Sequence, residues 1–303
     1  MAVALALWLL YKVLRIAWSY FRRPARLDYH GFAQSRFVDV DGFKIHYVQE
    51  GRGPDLLLVH GIASSIYCWR KVFRELARDH RVLALDLPGC GLSDKLEDQD
   101  YTLDLQTERL AKFLKKMKLR DVCVIAHSMG GAISAWLTQT HPDLVRGVVF
   151  ISPALSHKII FPNPAHFSWF VHLAKKFIVT PSLVRMIYLH LAVATPPADT
   201  EEATQQYYLP FHNSPEALVV FTKQTRLLKD PRLTHGLAPF KKPAIILYGR
   251  KDRVIAQKYL SQFLKNNPSV HLFTHEKSGH QLMEEDPDFV IQNVKLFFDG
   301  PNF

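Results

Sequence analysis

Ser128 stands in the stretch Val122-Cys-Val-Ile-Ala-His-Ser128-Met-Gly-Gly131, a β-branched apolar run followed by a serine and a glycine pair. Such a run predicts a strand that turns sharply into a helix at the serine. A turn this tight holds the serine in a strained backbone and demands small residues two before and two after it. Gly130 meets that demand, and Ala126 adds only a methyl on the other side. The turn lifts the Ser128 hydroxyl above the sheet edge and aims the Met129 N–H, at a helix N-terminus, toward any negative charge that develops nearby. The chemistry this suits is nucleophilic attack by a hydroxyl. Alone, the same pattern also describes a small-residue turn with no catalytic meaning.

A serine in that position needs a sheet beneath it. Ser35–Val40 and Phe43–Gln49 flank Asp41-Gly42, a strong hairpin signal. Leu56–His60, Arg81–Asp86, Val122–Ala126 and Gly147–Ile151 are short apolar runs of the kind buried in parallel sheets. Helical periodicity falls between them, at Tyr67–Arg78, Leu103–Lys118 and Met129–His141. The alternation resumes with a strand at Ala244–Tyr248, a helix at Gln257–Asn266, a strand at Val270–Phe273 and a helix at Pro287–Phe298. This repetition predicts an α/β fold with a doubly wound, mostly parallel sheet. Residues 154–242 interrupt it. They predict helices at His166–Val179, Ser182–Ala194 and Pro215–Lys229 without strands, which is a helical lid inserted into the core. Ser182–Ala194 is apolar nearly all round and should be buried on both sides or face something greasy. The division is therefore 1–26 as an N-terminal segment, 27–153 with 243–303 as the core, and 154–242 as the lid.

Of the net charge of +10 over 303 residues, half lies in residues 1–26, where Lys12, Arg15, Arg22, Arg23 and Arg26 meet no acid. Those bases border the most apolar stretch of the chain, which points to anionic lipid headgroups rather than nucleic acid. The apolar run through Tyr11 reaches roughly 16 Å as a helix, about half of a hydrocarbon core. Continued to Phe21 it crosses a bilayer with Lys12 and Arg15 snorkelling; alternatively it lies in one leaflet, or caps the protein's own core. Membrane anchoring through residues 1–21 is the expectation, with the rest on the cytoplasmic side. A secretory signal does not fit, because the bases follow the apolar run. Three cysteines cannot pair completely and have no zinc spacing. No His-Glu-x-x-His or defensible ligand spacing occurs, so neither a metal nor a cofactor is expected.

The chain resembles the α/β-hydrolase superfamily, in particular its serine esterases and lipases with a helical cap. The resemblance covers nearly all of residues 35–299. It rests on His60-Gly61-Ile62-Ala63 after a strand, Asp86-Leu-Pro-Gly-Cys-Gly-Leu-Ser93, the serine turn, Tyr248-Gly-Arg-Lys-Asp252 and Ser278-Gly279-His280, in that order. It implies Ser128 as nucleophile, His280 as general base and Asp252 as the acid that orients the imidazole. Ile62 and Met129 would supply the oxyanion-hole N–H groups, with Ala63 the alternative to Ile62. His275 is the fallback base, and Asp252 has a second reading as a cap for the helix near Gln257. Some relatives place the acid one strand earlier, where this chain reads Ser152-Pro153-Ala154. His60 and the Asp86–Ser93 loop read as scaffold.

The implied reaction is acyl transfer from a carboxylic ester to water. A serine at the nucleophile position argues against dehalogenase or epoxide hydrolase chemistry, which uses an aspartate there. The anchor and lid are similar to those of membrane-anchored monoacylglycerol lipases, which implies a lipid-derived ester as substrate. Carbon–carbon bond hydrolases share the Ser-Met-Gly-Gly and Gly-Arg-x-Asp elements, but usually follow the histidine with tryptophan, where this chain has Gln281. A non-catalytic binding module is the third alternative.

Overall fold

The computed structural model describes residues 32–158, 179–214, 216–237 and 239–300, together with Tyr11, Leu27 and Tyr29. The predicted anchor segment and the predicted helix His166–Val179 therefore lie outside the described residues, apart from Tyr11 and Val179.

Eight strands form one sheet in the order β1-β2-β4-β3-β5-β6-β7-β8. β1 (Arg36–Val40) and β2 (Phe43–Glu50) make the predicted hairpin around Asp41 (φ 53°) and Gly42 (φ 78°), both left-handed as the turn requires. β2 also pairs antiparallel with β4 (Arg81–Leu85). The remaining pairings are parallel: β3 (Asp55–Val59) with β4 and β5 (Val122–His127), then β6 (Val145–Ile151), β7 (Ala244–Gly249) and β8 (His271–His275).

The apolar runs have no polar alternation because both faces of the sheet are covered. Leu57, Val59, Leu83, Leu85, Val124 and Ala126 face one layer, where α1 (Leu103–Lys116) and α2 (Met129–Thr140) supply Leu110, Phe113, Ile133 and Leu137. Leu56, Leu58, Val82, Ala84, Cys123 and Ile125 face the other, against Tyr67, Trp69, Phe73, Val290 and Val294. The two sets interleave residue by residue, as a two-residue side-chain period dictates. Thr102 caps α1 by accepting from the Leu105 N–H, and Asp104 at its start with Lys115 and Lys116 at its end complement the helix dipole.

Between β6 and β7 the described residues form α3 (Pro181–Ile187), which continues as a π turn at Tyr188–Ala192, then α4 (Thr200–Asn213) and α5 (Ala217–Leu227). Two expectations change here. Ser182–Ala194 is not buried on both sides: Met186, Ile187 and Leu191 are about half exposed, and Tyr188 is the buried residue of its helical turns. α4 has no counterpart in the sequence reading, because its run of Glu, Gln and Tyr lacks an apolar stripe and Pro210 interrupts it. Tertiary contacts supply what periodicity lacks, since Ala203, Tyr207 and Leu209 are buried. The predicted helices Tyr67–Arg78 and Gln257–Asn266 each split into a short 3-10 turn and a short α-helix.

Asp86, fully buried at the end of β4, ties several of these elements together. Its Oδ1 accepts the Ile66 N–H at 2.7 Å, and its Oδ2 accepts from Leu92 N and His46 Nδ1, both at 2.8 Å, and from the Tyr29 hydroxyl at 3.2 Å. Gly91 (φ 48°) is obligatory beside it, since a Cβ there would lie 2.1 Å from Asp86 Oδ2. Burial alone would raise this carboxyl's pKa, but His46 and the Leu92 N–H outweigh it and hold the pKa below the usual carboxylate value. Asp86→Ala is expected to cost about 3–5 kcal/mol in denaturant unfolding at neutral pH, by stranding its donors. A depressed folded pKa means that the carboxylate stabilises the fold above the ordinary value of 3.8 and loses this effect as pH falls through the lower folded value. The gap between wild type and variant should therefore close in acid, below about pH 4.

Candidate active site

The sheet order reverses between β3 and β5: β4 lies beyond β3 on one side and β6 beyond β5 on the other. Loops leaving these adjacent strands at their carboxyl ends diverge and leave a crevice, where open α/β sheets bind ligands. Ser128 follows β5 at that point. Its backbone is at φ 50°, ψ −117°, a conformation that costs a non-glycine residue about 1–3 kcal/mol. The Ser128 N–H donates to Ile151 O at 3.1 Å, and the Ser128 carbonyl accepts from Gly131 N and Ala154 N, both at 3.0 Å. These bonds to β6 and α2 hold the strained turn.

The small residues are required by contact. A Cβ on Gly130 would lie 2.4 Å from Val59 O and 2.5 Å from His60 O. One on Gly131 would meet Pro153 Cβ at 2.7 Å, and one on Gly61 would meet Ser128 Cβ at 2.9 Å. The loop after β3 therefore lies directly against the serine. In that loop Ala63 is left-handed (φ 54°), which sets the direction of the Ile62–Ala63 peptide. Neither Ile62 N–H nor Met129 N–H donates to a protein acceptor among the described residues. His60 is neutral scaffold here: its Nδ1 lies 2.7 Å from Gly61 O, Leu87 N–H donates to its Nε2 at 3.0 Å, and burial lowers its pKa.

Asp252 follows β7 and His280 follows β8. Gly249 at the end of β7 lets the second loop cross the first, since a Cβ there would lie 2.1 Å from Gly279 O. Lys251 N–H then donates to Ser278 O at 3.0 Å. The crossing brings His280 Nδ1 to 2.8 Å from Asp252 Oδ2, with both residues buried. A carboxylate only accepts, so Nδ1 carries the proton and Nε2 is left as the basic nitrogen. Asp252 Oδ1 accepts from Val254 N and Ile255 N, both at 2.8 Å, so the same side chain holds its own turn. It does not cap the turn at Gln257, whose N-cap is Ala256. His275, the fallback base, faces elsewhere: its Nδ1 lies 2.8 Å from Ser278 Oγ and its Nε2 3.0 Å from Asp286.

His127, the residue before the serine, makes a contact with His280 that no sequence motif signals. His127 Nε2 lies 3.0 Å from the His280 carbonyl, and the two rings lie tilted at 53° with their centroids 4.6 Å apart. Burial, and next the proximity of His280, push the His127 pKa well down, so His280 faces a neutral ring. The Asp252–His280 contact is a closed hydrogen bond. His280 and Ser128 are linked through His127, the residue before the serine, with no hydrogen bond between the His280 and Ser128 side chains among the described residues. Ser128 is 2% exposed.

A polar hub holds the β6–β7 segment to this end of the sheet. Glu284, buried four residues beyond His280, accepts from the hydroxyls of Tyr188 and Tyr207 and from Arg70 at 2.9 Å. Arg70 also pairs with Asp199 at 2.7 Å. Among the described residues no group of three or more His, Cys, Asp or Glu is arranged to hold a metal ion.

The comparisons agree with this architecture. Residues 54–287 match the family described as the alpha/beta hydrolase fold, and the chain belongs to that family. A solved membrane phospholipase A, described as a bacterial virulence factor, superposes with a TM-score of 0.72 and 26% identity, over 99% of this chain and 96% of that one. The 2-hydroxy-6-oxo-6-(2'-aminophenyl)hexa-2,4-dienoic acid hydrolase of Metapseudomonas resinovorans is 27% identical over 269 residues, 84% of this chain and 87% of that protein. The cis-3-alkyl-4-alkyloxetan-2-one decarboxylase of Shewanella oneidensis is 24% identical over 280 residues, 86% of this chain and 87% of that protein.

Gly130→Ala tests the close approach of α2 to β3. Because the added methyl meets backbone carbonyls, the variant should lose about 1–3 kcal/mol in denaturant unfolding, the range for an overpacked site. A variant as stable as wild type would mean that the turn relaxes freely.

Proposed function

We propose that this protein is a serine hydrolase that cleaves carboxylic esters through an acyl-enzyme on Ser128. The observation that carries this reading is the buried Asp252–His280 hydrogen bond, with His280 held by His127, the residue before a serine in a strained strand-to-helix turn. In the proposed cycle Ser128 Oγ attacks the ester carbonyl and His280 Nε2 takes its proton. Asp252 Oδ2 keeps the opposite ring nitrogen protonated and stabilises the imidazolium. The N–H groups of Met129 and Ile62 hold the oxyanion; losing one such donor typically costs about 3–4 kcal/mol of transition-state stabilisation. His280 passes the proton to the leaving alcohol, and water repeats the sequence on the acyl-enzyme.

A lipid-derived, monoacylglycerol-like ester is the proposed substrate class. Residues 154–242 act as a cap over the core of residues 27–153 and 243–303, and the exposed Met186, Ile187 and Leu191 give that cap a greasy outer face. The 26% identity to a membrane phospholipase A across 99% of the chain supports a lipid substrate at a membrane. Among the described residues no helix is long and apolar enough to cross a bilayer. The anchor is proposed in residues 1–21, from their apolar run and the five bases that accompany it in residues 1–26, with the hydrolase body on the cytoplasmic side. Carbon–carbon bond hydrolysis is the second reading, supported by the relative from Metapseudomonas resinovorans and opposed by Gln281 after the histidine.

A fluorophosphonate probe should label the wild-type protein and leave Ser128→Ala unlabelled; an unreactive wild type would sink the acyl-enzyme reading. Asp252→Asn should label about 10,000-fold more slowly, because the imidazole then takes the wrong tautomer. Hydrolysis of monoacylglycerols against a dienoic acid substrate separates the two substrate classes. A chain beginning at Ala25 should leave the membrane fraction yet still cleave a short, water-soluble ester; loss of that activity in a folded protein would instead make residues 1–24 part of the active-site wall.

A further inference from the structure

The loop that carries His280 is joined to the cap on both sides of the imidazole. On the C-terminal side, Gln281 N–H donates to Ala192 O at 2.9 Å. On the N-terminal side the link is a side chain, Glu285. Its Oε1 accepts the Gly279 N–H at 2.8 Å, and its Oε2 accepts the N–H groups of Ala194 at 2.8 Å and Thr195 at 3.0 Å. One carboxylate thus spans the peptide just before His280 and the cap backbone just after the π turn. The fit is close, since a Cβ on Gly279 would lie 2.8 Å from Ala194 N and 3.2 Å from Glu285 Oε1. The acid loop touches the same part of the cap, where Arg253 donates to His190 O at 3.0 Å. Glu284, next in sequence, holds the cap tyrosines, so two successive carboxylates bind the cap while only Glu285 also binds the His280 loop.

We propose that Glu285 is a positioning residue for His280, fixing the imidazole's backbone to the cap so that cap placement and the placement of the base are one event. The inference rests on the proposed role of His280 as the base. Cap displacement that admits a lipid strains the Ala194 and Thr195 bonds and, through the same carboxylate, the Gly279 peptide. When the cap closes again on bound substrate, the loop returns with it. Gln in this position keeps one carbonyl oxygen and turns its amide toward N–H donors, so it serves one side of the link and not both.

The test uses the full chain in detergent micelles and reads the low-field proton signals of ring N–H groups held against carboxylates. The signal lost in His280→Asn is that of His280. The signal of His46, whose Nδ1 lies 2.8 Å from Asp86 Oδ2, reports an intact fold in the same spectrum. In Glu285→Ala the His280 signal should broaden or shift while the His46 signal stays. For a short soluble ester, kcat should fall about 10- to 100-fold, the usual cost of a misplaced catalytic group. KM should stay within about twofold, as expected when ground-state binding is untouched. Glu285→Gln should fall between, and it decides the matter where Glu285→Ala does not fold. An unchanged His280 signal beside an unchanged His46 signal overturns the proposal, whether or not the wild type hydrolyses esters. Failure of the wild type to react with a fluorophosphonate strikes the acyl-enzyme reading instead and leaves the spectral test standing.

Discussion

The left-handed backbone at Ser128 is the constraint around which the rest is arranged. A serine at φ 50°, ψ −117° stores about 1–3 kcal/mol that its own local contacts do not repay. It persists because the surroundings over-determine it: bonds to Ile151 O and from Ala154 N on the β6 side, and the approach of Gly130 to the carbonyls of Val59 and His60 on the β3 side. Both neighbours are strands of the doubly covered sheet, among the most buried parts of the molecule. Relaxing the turn would mean moving β3 or β6, and each is anchored by side chains on both faces. Rigidity from burial is thereby converted into a fixed direction for one hydroxyl.

The other site residues reach that point by a different route. Ser128, Asp252 and His280 all follow the carboxyl ends of parallel strands, so sheet register alone brings their loops to one edge. Register does not decide which side chains meet. That depends on the contact of Gly249 with the 278–279 peptides, which lets the β8 loop fold across the β7 loop and puts His280 against Asp252. His127 completes the arrangement: its ring donates to the His280 carbonyl, and burial keeps it neutral, so no second cation faces the imidazole. The Asp86 network holds Ile66 and Leu92 on the β3–β4 side of Ser128.

The segment between β6 and β7 follows less regular rules. Its described helices are joined to the core by apolar burial, as at Ala203, Val220, Leu227 and Leu228, and by a polar cluster of Glu284 with Tyr188, Tyr207 and Arg70. A buried charge cluster of this kind is directional and contributes less to stability than apolar packing of the same volume. It therefore helps to specify where the segment docks. The exposed Met186, Ile187 and Leu191 contribute little to holding the segment down.

Much of this was legible from the residues alone. Two-sided burial leaves apolar strand runs, a positive-φ hairpin leaves Asp-Gly, and a strand-to-helix serine turn leaves small neighbours, so the sheet, the hairpin and the Ser128 turn each carry a local signature. Neither α4 nor the exposure of Ser182–Ala194 has such a signature: α4 is held by tertiary burial of Ala203, Tyr207 and Leu209 despite Pro210, and apolar composition does not distinguish a buried helix from one left uncovered. The order of the motifs already favoured Asp252 with His280 over His275, but their 2.8 Å contact, the contact of His127 with His280 and the two glutamates that hold the β6–β7 segment were decided only by the fold. Those contacts join residues from 28 to 153 positions apart, across loops whose path no local preference dictates. Sequence determines what each segment prefers; only packing the segments together determines which polar atoms come within 3 Å of each other.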